Sequence, residues 1–200
     1  MTTAALANPK FSIRRSVQPA SEPVTLTQAK DHCGVSVTDD DTKLTSFVTA
    51  AREAVENYLN RTLITTTWVM RLDELCGEIL VPFSPLIAVS SIAYDAADGT
   101  PTTLDSAEYQ YDAFSEPGRI KPAYNKFWPI PRSQYNSVRI TFTAGYGTLA
   151  ADVPGPIKQG ILAMVATLFA QRETIVLDGS VADVPEVARF YLYPYRVWWM

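Results

Sequence analysis

The chain has 200 residues, 47% of them apolar and 19% charged, and a formal net charge of -4. That length suits one domain, or one domain carrying an insertion, and the apolar share is enough for a real core. An acidic balance argues against gripping nucleic acid by neutralising phosphates, and a charged share below the usual ~25% leaves surface to bury against other subunits. Residues 1–22 mix Pro, Ser, Thr and Ala with Arg14 and Arg15 and read as an extended N-terminal arm. The first residues show neither the basic start nor the apolar run of a signal peptide. The most apolar stretch, Ile161 to Ala170, is too short to span a bilayer. These features predict a soluble protein made in a cytoplasm, with no membrane partner.

From Pro23 to Cys33 the sequence predicts a short helix, with Thr25 as its N-cap and Gly34 at its end. Leu44, Phe47, Val48, Ala51, Val55, Tyr58 and Leu59 recur at three- and four-residue spacing, one apolar face of a long amphipathic helix. Asp39, Asp40 and Asp41 stand at its start, where carboxylates cap free N–H groups and suit the positive dipole end. Residues 62–72 are β-branched and aromatic and read as a strand. Shorter strands are expected at 79–81, 87–94, 108–112 and 138–143, with turns at Asp98-Gly99 and Pro117-Gly118. After Pro154 and Pro156 a second helical stripe runs through Ile157, Ile161, Leu162, Val165, Leu168 and Phe169. Residues 177–183 read as a loop and 185–192 as a last short helix. The expected architecture is α+β. A helical core from residues 23–61 and 152–192 is interrupted by a small antiparallel β module at 62–151.

The stretch 190–200 is dense in aromatic residues. Aromatics and Arg anchor interfaces because each buries a large area at low rotamer cost. Two readings stand: packing into the chain's own core, or docking on a partner, with Pro194 favouring an extended tail.

No constellation for catalysis emerges. His32 stands alone on a helix and reads as a partly buried structural residue. Cys33 beside His32 lacks the geometry of a Cys–His pair, and Cys33 and Cys76 read as reduced core thiols. The three aspartates lack the alternating ligands, Gly and closing Glu of a calcium loop. Gly145-Tyr-Gly147 has no phosphate-loop pattern and reads as a strand-ending turn. The residues therefore predict no enzyme, no metal and no cofactor. Arg119, Lys121 and Lys126 interleave with Tyr124, Phe127 and Trp128. Such a segment can stack bases, but its prolines and the acidic balance favour a loop at a subunit contact, carried by Tyr124, Phe127 and Trp128.

Several segments in this order resemble phage head–tail connector proteins. They are Pro23 to Lys30, Asp39-Asp-Asp with Leu44 to Leu59, Val138 to Gly147 followed by Val153 to Gly160, and the terminal Pro194-Tyr-Arg-Val-Trp198. The resemblance is to the longer form, with a β insertion, of tailed phages, prophages and gene transfer agents. It implies an adaptor located at the portal vertex of a virion or phage-like particle. About twelve copies would form a closed ring beneath the portal protein. The ring would extend the DNA channel and carry the stopper or tail, and double-stranded DNA would pass its lumen without sequence-specific binding. It further implies portal docking through Tyr193, Tyr195, Arg196, Trp198 and Trp199, by a tail disordered until it docks. Two alternatives stay open: a tail-terminator or other ring protein of the same particle, and a carbohydrate-binding β module suggested by Trp68, Trp128 and the tyrosines.

Overall fold

In the computed structural model residues 11–170 and 184–198 are described. Helix α1 (Leu26–Cys33) starts from a capping box. The Gln28 amide donates to Thr25 Oγ1 at 3.2 Å and the Thr25 amide to Gln28 Oε1 at 2.9 Å. Gly34 ends it in the left-handed conformation, φ 67°. Helix α2 (Asp41–Leu59) buries Leu44, Val48, Ala51, Val55 and Leu59 along one face and stops at Asn60, also left-handed with φ 54°. The aspartates at its start do not cap it as expected. Asp40 holds the N-cap position without a side-chain capping bond. Its carboxylate meets Lys43 at 3.1 Å, and Asp41 meets Lys30 at 2.6 Å. Two lysines within reach draw the carboxylates away from the backbone.

Helices α3 (Gly155–Ala170) and α4 (Glu186–Leu192) complete the helical part. Their apolar residues share one core with α1 and α2, including Ile157, Ile161, Val165, Ala188 and Leu192. Gly160 marks a close approach, since a Cβ there would lie 2.7 Å from Leu192 Cδ2.

Eight strands are described: β1 (Phe11–Arg15), β2 (Thr66–Leu72), β3 (Ile79–Val81), β4 (Leu86–Asp95), β5 (Pro101–Thr103), β6 (Tyr109–Asp112), β7 (Gly118–Pro122) and β8 (Val138–Ala144). They form a five-stranded sheet in the order β1-β2-β8-β4-β5 and a three-stranded sheet in the order β3-β7-β6, all antiparallel. Strands β2 and β8 alternate inward and outward with period two. Trp68, Met70 and Leu72 face Val138, Ile140, Phe142 and the residues of the second sheet in one apolar core. Asp98-Gly99 makes the β4–β5 turn, with Gly99 at φ 90°.

The chain divides into two units. One holds the described residues up to Gln18 and Thr66–Ala144; the other holds Pro19–Thr65 and the described residues from Gly145 onward. The α+β class is therefore observed. The expected boundaries shift. Residues 11–15, read as arm, are a strand because Phe11 to Arg15 complete the ladder of β2. The strand expected from residue 62 begins at Thr66, because Leu63 and Ile64 are buried in the helical core instead. Gly145, at φ 140°, ends β8 as the turn reading expected, and a Cβ there would strike the Thr65 backbone at 2.6 Å. Residues 1–10, the loop expected at 177–183 and the last two residues lie outside the described residues.

Candidate functional site

The C-terminal segment packs in part on its own helical unit and leaves other aromatic side chains exposed. After α4 a 3₁₀ turn spans Tyr193–Tyr195, with Pro194 in its first turn, where a missing N–H is tolerated. Pro194 thus supports a turn rather than an extended tail. Leu192 and Val197 point inward and are buried. The Val197 amide donates to the Leu59 carbonyl at 2.9 Å. Asn60 Nδ2 donates to the Val197 carbonyl, also at 2.9 Å. Arg61 Nε donates to the Tyr195 carbonyl. The described part of the tail is therefore ordered on its own helical unit, against the expectation of a tail without structure before docking.

Of the expected docking residues, Tyr193 and Trp198 face outward, 60% and 53% exposed. Their rings meet edge to face with centroids 6.0 Å apart. Tyr195 is half-buried against the helical core. Arg196 is turned inward, its guanidinium 4.8 Å from the Tyr58 ring and 4.3 Å from the Trp198 ring, a cation held between two aromatic faces. Trp199 lies outside the described residues. Sequence reasoning missed Val187 and took in Phe190 only as the start of the aromatic stretch 190–200, without naming it as a docking residue. They are exposed on α4 three residues apart and continue the same apolar ridge toward Tyr193.

The second expected site, the loop of residues 123–137, belongs to the β unit. Asn125 adopts a left-handed conformation, φ 59°, which lets the Lys126 amide reach the Ala123 carbonyl at 3.0 Å and throws Tyr124 outward. Tyr124 and Phe127 are exposed, Phe127 at 89%. Trp128 differs. It packs partly against the sheet core and its Nε1–H donates to the Gly77 carbonyl at 2.8 Å, so it anchors the loop rather than presenting it. The Arg132 amide on the Asp95 carbonyl and the Asn136 amide on Asp73 Oδ1 pin the remainder. Ile130 and Tyr135 stay exposed beside a cleft of about 730 Å³ that Trp128, Pro129, Leu75 and the carboxylates Asp73 and Glu74 also line.

Two of the interleaved cations, Arg119 and Lys126, are engaged. Arg119 binds Asp112 at 2.6 Å and lies 3.7 Å from Glu78, and Lys126 binds Glu108 at 2.8 Å. Asp112 accepts from the Ser115 hydroxyl, from Arg119 and from the Phe114 amide, which hold its carboxyl well below the usual carboxylate range. Trp68 offers no sugar platform. It is buried, with one face stacked on Phe83 at 4.2 Å and Arg15 4.7 Å from its ring centre. With Trp128 anchored on Gly77, neither tryptophan is a free flat face.

His32 is exposed, in the last turn of α1, rather than partly buried. Cys33 is half-buried and Cys76 is exposed, so the reading of two core thiols fails for Cys76. Burial raises both thiols, with Glu74 adding to the effect at Cys76. Such thiols are poor nucleophiles. Among the described residues no group of three His, Cys, Asp or Glu could hold a metal ion, and no helix is long and apolar enough to cross a membrane.

A family model described as phage gp6-like head–tail connector protein matches residues 23–113, a little under half of the chain. Three solved structures are similar over 94% of this chain at 20% identity. One is the neck of an empty gene transfer agent particle computed with C6 symmetry (TM-score 0.77, 97% of that chain). Another is the virion of a native gene transfer agent particle (0.76, 96%), and a third the neck of a native particle computed with C12 symmetry (0.73, 97%). At that identity the likeness is one of fold. No curated protein matches the chain. Over residues 23–113, which run from α1 into the β unit, the chain is thus similar to the phage gp6-like head–tail connector family.

Proposed function

We propose that this protein is a structural adaptor of a tailed phage or phage-like particle, seated at the head–tail interface. Copies of the chain, about twelve, close into a ring under the portal through heterologous contacts. The helical unit serves as the connector core and the β unit as its insertion. The ring extends the DNA channel and supplies the platform for the stopper or tail, and DNA passes without base readout. The neck structures of similar fold, computed with C6 and C12 symmetry, support a cyclic assembly. The observation that carries the reading is the outward aromatic ridge of Phe190, Tyr193 and Trp198 on a chain similar, over residues 23–113, to head–tail connector proteins. Tyr193 and Trp198 touch the portal, Tyr195 and Arg196 hold them in place, and Trp199 follows in sequence. Tyr124 and Phe127, on the loop that Trp128 anchors, meet the neighbouring copy. The work is assembly, not catalysis.

The test is co-purification of the full chain with the portal protein of the same particle, with complex mass from light scattering. Deleting residues 190–200 would strip Leu192 and Val197 from the core, so the discriminating variant is Tyr193→Ser with Trp198→Ser. Aromatic anchors at an interface centre are worth about 2 kcal/mol or more each, so binding should fall at least tenfold while the melting temperature holds. Equal portal binding by the variant and the intact chain would remove these two rings from the interface. No complex with the intact chain would favour another layer of the particle, such as the tail terminator.

A further inference from the structure

We propose that the free chain carries its docking end already formed, and that Asn60 and Arg61 are the positioning residues that hold it. The proposal rests on the reading of Tyr193 and Trp198 as the portal-docking rings. The last carbonyls of a helix lack partners within it. Here the Leu59 carbonyl, at the end of α2, receives the Val197 amide at 2.9 Å. Asn60 closes the same residue from its other side, donating from Nδ2 to the Val197 carbonyl at 2.9 Å. Arg61 donates to the Tyr195 carbonyl two residues earlier. Three consecutive residues of one turn thus grip the backbone on both sides of Arg196. The Val197 side chain is buried, and the Arg196 guanidinium is stacked between Tyr58 and Trp198. Trp198 has little freedom left, and its edge-to-face contact with Tyr193 follows from that placement.

Asn60 does two things at once. Its left-handed backbone ends α2, a conformation that Asn and Gly tolerate, and its amide supplies the donor to Val197. Glycine at this position can do only the first. A segment that is ordered before it meets its partner loses less conformational entropy on docking, so affinity depends on residues that never touch the portal.

The experiment compares full-length intact chain, Asn60→Gly and Asn60→Asp. It reads hydrogen exchange of the Val197 amide in the free protein, portal affinity and melting temperature. The aspartate variant keeps the size and the left-handed cap but sets a carboxylate against the Val197 carbonyl. The expected result is a protected Val197 amide in the intact chain. In both variants it exchanges about fivefold faster and portal affinity falls about fivefold, the weight of one net hydrogen bond, with the melting temperature lowered by no more than about 2–4 °C. An unprotected Val197 amide in the intact chain overturns the proposal. So does faster exchange with unaltered affinity, since docking would then not need the clasp. Weaker binding with unaltered exchange also overturns it, by making Asn60 a contact residue. If the intact chain binds no portal, the functional reading fails, and the exchange measurement still decides whether the end is held by Asn60.

Discussion

Replacing Glu56 by alanine should destabilise the helical unit by about 4 kcal/mol, a value that follows from one buried network. Arg52 lies in the middle of α2 at 1% exposure, with Glu56 one turn on at 2%. Arg52 Nη1 donates to Glu56 Oε2 at 2.7 Å, Nε to Glu22 at 2.8 Å and Nη2 to Glu53 at 3.3 Å. The second Glu56 oxygen accepts the Leu63 amide at 2.9 Å. At 2.7 Å and an effective dielectric of ~20, the Arg52–Glu56 attraction is about 6 kcal/mol, and desolvation of the two ions offsets most of it. Removing one partner is different, because the buried charge that remains has lost its counterpart, at a typical cost of about 3–5 kcal/mol. Arg52 keeps Glu22 and Glu53, which places the charge loss near the lower end, about 3 kcal/mol. The Leu63 amide loses its acceptor, which adds about 1 kcal/mol. Urea unfolding followed by circular dichroism at 222 nm reports this unit, since all four described α-helices lie in it. Glu56→Gln retains an oxygen for the Leu63 amide and should lose only the charge contribution. A loss below about 1 kcal/mol for Glu56→Ala, the level of an exposed pair, would refute the reasoning.

Two further outcomes are expected. The folded-state pKa of Asp112 is depressed, so its contribution to holding residues 112–119 is fully present above the ordinary carboxylate pKa of about 4 and is lost as pH falls through the lower value. The Phe114 amide resonance should stay constant from neutral pH down to about pH 4 and move only below it, whereas a midpoint at the ordinary value would contradict the network. Gly160→Ala would improve helix propensity yet set a methyl group 2.7 Å from Leu192 Cδ2 and 2.8 Å from Cγ. The displacement of Leu192 should prevail, with a net loss of about 1–3 kcal/mol in thermal unfolding; a stabilised variant would show that α4 yields freely.

The sequence by itself determined the local elements whose signals are local. The stripe from Leu44 to Leu59, the Thr25 cap with Gln28, the left-handed Gly34 and the Asp98-Gly99 turn each depend on residues a few positions apart. Periodicity and backbone sterics are enough to place such elements. Aromatic density marked the end of the chain as important, and family resemblance in ordered motifs pointed to a connector. What only the tertiary structure decided is what long-range partners decide. Residues 11–15 became a strand because β2 offered them a ladder, and Thr62 to Thr65 left the strand because Leu63 and Ile64 found the helical core. Arg52 and Glu56 gave no signal, since an i, i+4 ion pair reads as a solvated helix face until burial is known. Trp68, Trp128 and Arg196 looked like contact residues by type and proved to be engaged within their own unit. Tyr193 and Trp198 stayed outside because Leu192 and Val197 took the inward positions and Asn60 and Arg61 grip the backbone between them. Residue type sets what a side chain is able to bind, and the partner that first satisfies it within the fold sets whether any of that capacity reaches the surface.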